Sequence, residues 1–165
     1  MDPPDFGPQL KVKIKERLRA SKEGYALGNV GYIVYITEIK DENISRGRIE
    51  DSTGQVMYHV TFDAIVFRPF KNEVLDTIVG VSHDQGFFCH AGPLRIFVSR
   101  HAMPDDLKDG FDQETSAWVS DDKQVEIKAG CGVRLRLMNV KIEQNEITAV
   151  GTINDDYLGL VISMD

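Results

Sequence analysis

The sequence contains few cysteines, and the two that it has show no metal-binding pattern. Cys89 and Cys131 stand far apart in the chain, outside the short paired spacings that zinc sites use. In a reducing compartment such cysteines are buried thiols more often than partners in a disulfide. The sequence therefore predicts no structural zinc.

Long apolar runs are also missing. No stretch of the 165 residues approaches the roughly 20 apolar residues that a membrane-spanning helix needs. The first residues, MDPPDFGPQL, have neither the basic region nor the apolar stretch of a secretory signal. We therefore expect an intracellular protein without a membrane partner. The hydrophobic content of 42% is enough to build the core of one domain or two small ones.

An excess of positive charge is absent as well. The formal net charge is -7 at pH 7, whereas domains that hold nucleic acid mainly through its phosphates are normally basic. The acidic excess lies in the second half of the chain, much of it between Pro104 and Lys123. We interpret this run as a solvated surface loop rather than a cation site, because the ligand spacing of a calcium loop is absent. Its acidic residues are Asp105, Asp106, Asp109, Asp112, Glu114, Asp121 and Asp122.

The first part of the chain is predicted to contain one helix and two strands. The segment FGPQLKVKIKERLRASKEG places Leu10, Ile14 and Leu18 on one helical face and a basic surface outside, which either binds RNA or a partner or simply faces water. The segments VGYIVYITEI and QVMYHVTFDAIVFRPF are rich in β-branched and aromatic residues, as strands are. A proline then interrupts the second strand. We place a domain boundary there, giving an N-terminal domain over 1–72 and a second domain over 73–165.

From residue 73 onward, short segments of strand character are separated by turn residues. These segments are VLDTIVGVS, GFFCH, LRIFVS, QVEIKA, GVRLRLMNVKIEQ, EITAVGTI and YLGLVISM. Short strands with glycine-rich turns indicate a small closed β unit, and so short a segment holds a five-stranded barrel more readily than a sandwich. The predicted fold class is α+β, with the helix-and-strand domain followed by an all-β OB-fold barrel.

Strand alternation divides the GFFCH and LRIFVS segments into two faces, because successive side chains on a strand point to opposite sides. One face is apolar and suited to the barrel core: Phe87, Cys89, Leu94, Ile96 and Val98. The other face carries Phe88, His90, Arg95 and Phe97. Two aromatic rings beside cationic groups suit single-stranded nucleic acid, whose bases stack on rings. The alternative is that a loop, a domain or a partner covers the two rings.

Taken in order, several motifs resemble a known protein family. They are FGP, GYIVYI, RGRI, IVFRPF, GPLRIFVSRHAMP and GTINDDYLG. The barrel segment resembles the OB module first described in a ribosomal protein and called the S-one type. The whole series, which covers nearly the full chain, resembles the stalk-subunit family of RNA polymerases. Within that family it is most similar to the seventh-subunit group of eukaryotic RNA polymerase II.

The resemblance implies a non-catalytic stalk subunit of RNA polymerase II that acts in the nucleus. Its N-terminal domain would be a truncated ribonucleoprotein-like domain that docks on the polymerase core and forms a heterodimer with the fourth subunit. Its barrel would bind single-stranded nascent RNA. The expected RNA-binding residues are Phe88, His90, Arg95, Phe97, Arg100 and His101. The expected partner-binding residues are Tyr32, Val34, Ile36, Phe67 and Phe70.

Two departures from the family pattern carry expectations of their own. Members of the family carry a strand ahead of the FGP helix, and only five residues precede Phe6 here. The N-terminal sheet should therefore need a cover for its edge and for one apolar face. That face is predicted to contain Tyr32, Val34, Ile36, Val56, Tyr58 and Val60. In many S-one modules a histidine stands where this chain has Ser99.

The IVFRPF segment suggests a fixed junction between the two predicted domains. It joins an apolar strand to a turn whose backbone a proline restricts. We therefore expect Phe67 and Phe70 to be buried between the domains.

No enzymatic function is predicted. His59, His83, His90 and His101 could act as bases, but no nucleophile motif, phosphate-binding loop or paired metal motif accompanies them. We expect a non-catalytic chain without a cofactor. The remaining alternative is a free-standing OB-fold RNA-binding factor of translation or RNA decay, which would purify with ribosomes or nucleases rather than with polymerase subunits.

Overall fold

The computed structural model describes residues 6–143 and 145–161. The chain divides into two compact units between Arg68 and Pro69. In the described residues, the first unit contains one α-helix and five strands, and the second contains nine strands. Each unit has buried apolar residues of its own.

The helix α1 (Leu10–Lys22) confirms the helix predicted from the apolar spacing. Pro8 precedes it, near the start of a helix, where a proline is tolerated because the first backbone N–H groups have no partner within the helix. Ile14 is buried, and Leu18 packs against the core cluster of this unit. On the basic outer surface of the helix, Lys15 forms an ion pair, since its Nζ lies 2.6 Å from the carboxylate of Asp41.

The strands of the first unit form two separate sheets. β1, β2 and β5 form an antiparallel sheet in the order β1-β2-β5, while β3 and β4 form a hairpin of their own. The strands are β1 (Ala26–Leu27), β2 (Gly31–Glu38), β3 (Arg48–Ile49), β4 (Val56–Met57) and β5 (Asp63–Phe67).

The single long strand predicted over QVMYHVTFDAIVFRPF is wrong, because the segment divides into β4 and β5. The backbone between these strands bonds to a different part of the chain. The N–H of His59 donates to Oγ of Ser45 at 2.8 Å, and the N–H of Thr61 donates to the carbonyl of Asn43 at 3.1 Å. These bonds flank an antiparallel bridge between Ile44 and Val60, so the residues after β4 pair with the segment just ahead of β3 before the chain joins β2.

A bulge in β2 changes which of its side chains face the core. The register between β2 and β5 slips by one residue between Ile33 and Tyr35, and such an extra residue reverses the alternation that follows it. Val34 is therefore 50% exposed, whereas Ile36 is fully buried. The predicted common face of Tyr32, Val34 and Ile36 is wrong, and Ile36 is a core residue.

The predicted burial of Phe70 is also wrong, since its side chain is 63% exposed. Residues 70–73 form a tight turn in which the N–H of Phe70 donates to Oε2 of Glu73 at 3.2 Å. The N–H of Glu73 donates back to the carbonyl of Phe70 at 3.3 Å. This turn leaves the ring in solvent, while Phe67, at the end of β5, is half-buried.

The second unit contains a closed five-stranded barrel, as predicted. β6, β7, β8, β13 and β12 follow one another in this order, and β12 pairs with β6 to close the sheet. Only β8 and β13 run parallel among these neighbours. This closure of five strands is that of an OB-type barrel. The strands of the unit are β6 (Val74–His83), β7 (Gly86–Ala91), β8 (Leu94–Ser99), β9 (Phe111–Asp112), β10 (Ala117–Val119), β11 (Glu126–Ile127), β12 (Gly132–Ile142), β13 (Ile147–Thr152) and β14 (Gly159–Leu160).

The inward side chains of β7 and β8 confirm the core face predicted from alternation. None of them has any exposed surface: Phe87, Cys89, Leu94, Ile96 and Val98. Burying a large apolar side chain stabilises a fold by about 1.5–3 kcal/mol. The outward side chains of these strands are thereby fixed on the opposite, solvent-facing side.

The start of β7 requires glycine. Gly86 has a φ of 151°, and a Cβ at this position would lie 2.1 Å from the carbonyl oxygen of Val98. No other residue fits so close to the neighbouring backbone. Gly86 thus lets β7 begin directly beside β8, in the register that places their outward side chains opposite each other.

The acidic segment between Pro104 and Lys123 is partly folded, which corrects its interpretation as a surface loop. β9, β10 and β11 form a small antiparallel sheet. Leu107 and Trp118 are buried, and the ring of Phe111 lies 5.1 Å from that of Trp118. Burial of these apolar side chains stabilises the folded segment, because a buried tryptophan removes a large apolar surface from water. Most of the acidic side chains remain exposed.

Alkylation should distinguish the two thiols. Burial of Cys89 in the barrel core raises the pKa of its thiol to about 11, so little of the reactive thiolate forms at mildly alkaline pH. Cys131 is only half-buried. We expect iodoacetamide to modify Cys131 in the folded protein and both cysteines in urea, as read by mass spectrometry. Equal modification of both in the folded state would contradict the burial of Cys89.

Candidate nucleic-acid interface

The outward side chains of β7 and β8 bring aromatic rings and cationic groups together. Phe88 lies opposite Phe97 and His90 lies opposite Arg95 in the strand register. The two phenyl rings are tilted at 43° with their centroids 4.9 Å apart. The guanidinium carbon of Arg95 lies 5.3 Å from the centroid of the Phe88 ring, within the range of a cation–π contact. Both rings are half-buried, so each keeps some surface open to solvent.

The position of His90 depends on a glycine in the neighbouring strand. The register of β6 with β7 slips between Val79 and Val81, which leaves Gly80 as an extra residue. A Cβ on Gly80 would lie 3.1 Å from Cδ2 and Nε2 of the His90 ring. The imidazole therefore lies over the bare backbone of Gly80.

The strand pairing extends this pattern across two further strands. Val150 of β13 pairs with Phe97, and Asn139 of β12 pairs with Val150. Directly paired residues of adjacent strands project from the same face of a sheet. Four side chains therefore form a line across the strands, which we call the aromatic row: Phe88, Phe97, Val150 and Asn139.

A second line runs beside the first. Thr148 of β13 pairs with Arg95, and Lys141 of β12 pairs with Thr148. Together with the histidine of β7 they form the basic row: His90, Arg95, Thr148 and Lys141. In each strand the two rows are two residues apart, which is roughly 7 Å along a strand. The outward residues thus form two lines on one face of the barrel, and the guanidinium of Arg95 reaches from the second line to the Phe88 ring of the first.

A groove with a volume of about 340 Å³ lies between β8, β13 and β12 on this face. Such a volume is at the small end of the range of ligand sites. The groove can offer ring surface to a base and positive charge to a phosphate. Its lining residues are Phe88, Arg95, Phe97, Asn139, Lys141, Thr148, Ala149 and Val150.

One cation of the groove is partly neutralised by its neighbour in sequence. Nζ of Lys141 forms an ion pair with the carboxylate of Glu143. The hydrogen bond from Lys141 to Glu143, and then the charge of the carboxylate, raise the pKa of the lysine. Lys141 therefore stays charged, but a bound phosphate has to compete with Glu143 for it.

Three of the six residues expected to bind RNA do not line the groove, namely His90, Arg100 and His101. Arg100 and His101 belong to the 3₁₀ turn Arg100–Ala102 that follows β8. The guanidinium of Arg100 lies 2.6 Å from the carboxylate of Asp109, and the backbone N–H of His101 donates to Oγ of Ser99 at 3.3 Å. The structure therefore brings Phe88, His90, Arg95 and Phe97 together and leaves the turn residues apart.

The groove residues on β12 and β13, Ala149 among them, were missed by sequence reasoning. Asn139, Lys141, Thr148 and Val150 reach Phe97 and Arg95 only through the parallel pairing of β8 with β13. No local pattern specifies that pairing. The only signal that marks these groove residues as outward-facing is the alternation of polar residues in two predicted segments, GVRLRLMNVKIEQ and EITAVGTI.

Among the expected partner-binding residues, Val34 and Phe70 are well exposed, and Tyr32 and Phe67 are half-buried opposite each other. Exposed apolar residues near them were not predicted. Tyr35 of β2 is 49% exposed, and Ile65, which pairs with it, is 56% exposed.

In residues 6–143 and 145–161, no three histidine, cysteine or acidic side chains are arranged to hold a metal ion. Across the same residues, no helix combines the length and the apolar character that crossing a bilayer requires.

Together, the closed barrel and its groove define an OB-type barrel protein with a candidate surface for single-stranded nucleic acid. No protein-family model matches the sequence. The chain is 38% identical over 162 residues to DNA-directed RNA polymerase II subunit 7 of Arabidopsis thaliana, covering 98% of this chain and 90% of that protein. It is 33% identical over 161 residues to the RPB7 subunit of Saccharomyces cerevisiae, covering 98% and 93%. The chain belongs to the family of RNA polymerase II subunit 7.

The resemblance extends more weakly to related polymerases. The identity to DNA-directed RNA polymerase IV subunit 7 of Arabidopsis thaliana is 29% over 161 residues, which cover 94% of this chain and 88% of that subunit. The identity is thus higher to the polymerase II subunits than to this one.

Proposed function

We propose that this chain is a non-catalytic subunit of RNA polymerase II that acts in the nucleus and binds single-stranded nascent RNA with its barrel. Its N-terminal unit is a truncated ribonucleoprotein-like domain that docks on the polymerase core and pairs with the fourth subunit in the stalk. Family membership supports the assignment to polymerase II. The chain itself contributes no active site.

One observation carries the RNA-binding part of the proposal, namely the groove in which two phenyl rings stand beside Arg95 and Lys141. Stacking on aromatic rings tolerates any base sequence, because every base has a flat face. A transcription complex requires such tolerance, since nascent RNA passes with every sequence. The net charge of -7 keeps binding weak, because the protein as a whole repels the phosphate backbone.

The docking part of the proposal is supported by apolar side chains that remain exposed in the N-terminal unit. Val34, Tyr35, Ile65 and Phe67 lie on β2 and β5, and the first three are between 49% and 56% exposed. The hairpin of β3 and β4 adds Ile49, which is 66% exposed. Large exposed apolar patches mark protein interaction sites, and the polymerase core and the fourth subunit are the proposed covers.

Co-purification tests the docking. The tagged chain should recover the other polymerase II subunits in stoichiometric amounts, with the fourth subunit among them. Val34→Asp should reduce that recovery severalfold, because a desolvated carboxylate at an apolar interface is costly. Val12→Asp is the matched control, since Val12 is 54% exposed on α1. Ribosomes or nucleases as the stoichiometric companions would instead support a free-standing RNA-binding factor.

A further inference from the structure

Strand β12 carries two arginines, Arg134 and Arg136, in the same outward line as the Asn139 that lines the groove. Both arginines alternate with inward side chains that have no exposed surface, namely Val133, Leu135 and Leu137. Their guanidinium groups therefore project from the outer face of the barrel. Neither arginine lines the groove itself.

Each of these arginines is neutralised by an aspartate from another element. Nε of Arg134 lies 2.7 Å from Oδ1 of Asp76, and Nη2 lies 3.1 Å from Oδ2, so the pair is bidentate. Asp76 of β6 is also the strand partner of Arg134. The hydrogen bond from Arg134 lowers the pKa of Asp76, so this carboxylate stays charged at neutral pH. The guanidinium of Arg136 forms an ion pair with Asp155, which lies between β13 and β14.

These two ion pairs matter more for the charge of the surface than for the stability of the fold. Their four side chains are between 41% and 58% exposed, and exposed ion pairs contribute little to stability. A paired arginine, however, offers less positive charge to a phosphate than a free one does. Arg95 of the groove differs, because it has no carboxylate partner in residues 6–143 and 145–161, and its guanidinium lies over the Phe88 ring.

We propose that Asp76 and Asp155 limit the affinity of the barrel for RNA by neutralising the two arginines that lie beside the groove on β12. This inference rests on the proposed binding of RNA by the barrel. A phosphate has to displace an aspartate before it contacts Arg134 or Arg136, so these cations add little to the affinity of the parent protein. A polymerase moves its nascent RNA while extending it, and weak binding permits that movement.

Replacing both aspartates by asparagine tests this limit, with the full chain and an oligo(U) RNA in fluorescence anisotropy titrations. The double variant Asp76→Asn, Asp155→Asn should bind about tenfold more tightly than the parent at low salt, because two arginines become free for phosphate. The slope of log affinity against log salt should become steeper by about 1.4, at about 0.7 for each added contact. A melting temperature close to that of the parent is expected for exposed pairs and confirms the fold.

The matched control is Asp84→Asn, Asp156→Asn. Both residues are exposed on the same unit, and neither carboxylate has a cationic partner in the part of the chain that the structure describes. The control removes the same amount of negative charge, so any general loss of repulsion is equal in the two double variants. It should raise the affinity by less than about twofold. Equal gains for the two double variants would overturn the proposal.

A second comparison removes one pair without changing the net charge. Asp76→Asn alone should bind RNA about threefold more tightly than the parent, because it frees Arg134. The variant Asp76→Asn, Arg134→Gln has the net charge of the parent and no free arginine, so its affinity should be within about twofold of the parent's. If this variant kept the gain of Asp76→Asn, the gain would not come from Arg134 and the proposal would be wrong.

Phe88→Ala separates this inference from the proposed RNA binding. If Phe88→Ala weakens binding while Asp76→Asn, Asp155→Asn binds no better than the parent, the barrel binds RNA but the aspartates do not limit its affinity. If Phe88→Ala has no effect, the proposed RNA binding fails and this inference fails with it.

Discussion

Replacing Phe88 or Phe97 by alanine should weaken the binding of single-stranded RNA by about 1–3 kcal/mol for each base that loses its ring. This corresponds to a rise in Kd of about 5- to 150-fold. The rings lie 4.9 Å apart on one open face of the barrel, so they can support neighbouring bases. Because a ring can stack on any base, the loss of affinity should be similar for RNAs of different sequence. Anisotropy titrations with single-stranded RNA measure it.

The control for these variants is Tyr157→Ala, because Tyr157 is 94% exposed and lies outside the groove. It should bind RNA as the parent does. The parent should also show a shallow salt dependence, with a slope of roughly -1.4, because two cations of the groove contact phosphate and each single-strand contact contributes about -0.7. A folded Phe88→Ala, Phe97→Ala double variant that binds RNA like the parent would show that the rings serve another interaction.

Replacing Trp118 by alanine should lower the free energy of unfolding by about 3–5 kcal/mol. Its indole has no exposed surface, and it packs against Phe111 in the small sheet of β9, β10 and β11. The change removes a large buried side chain and leaves a cavity. Urea unfolding followed by circular dichroism measures the effect, since the variant has no tryptophan left to report it by fluorescence.

Met138→Ala provides the comparison for this variant. Met138 is 47% exposed, and its replacement should cost less than about 1 kcal/mol. Similar losses for the two variants would mean that the segment between Pro104 and Lys123 contributes no core, as its interpretation as a surface loop implied.

The hairpin of β7 and β8 was predictable because its alternation is regular over both strands. From Gly86 to Ala91 every residue has a partner in β8, and the register has no slip. Counting residues therefore assigned Phe87 and Phe88 to opposite faces correctly. In β2 the same reasoning failed at Ile36, because a bulge adds one residue and reverses the faces beyond it.

Other features were hidden from the sequence for different physical reasons. The strands around Trp118 are only two or three residues long, so their apolar residues are outnumbered by the acidic and turn residues between them. Asn139 and Lys141 reach the groove through strand pairings that join distant parts of the chain. Local propensity does not encode such pairings, and the size and floor of the groove depend on them.

We propose that this chain, as a polymerase II subunit, contacts nascent RNA through the outer face of its barrel. Photo-crosslinking tests it most directly, with photoreactive RNA made by transcribing polymerase II that contains the tagged chain. The account predicts crosslinks in peptides of the 86–99 hairpin and of β12 and β13, and their loss in the Phe88→Ala, Phe97→Ala variant. Crosslinks confined to the N-terminal unit, or none to this chain in an actively transcribing complex, would contradict it.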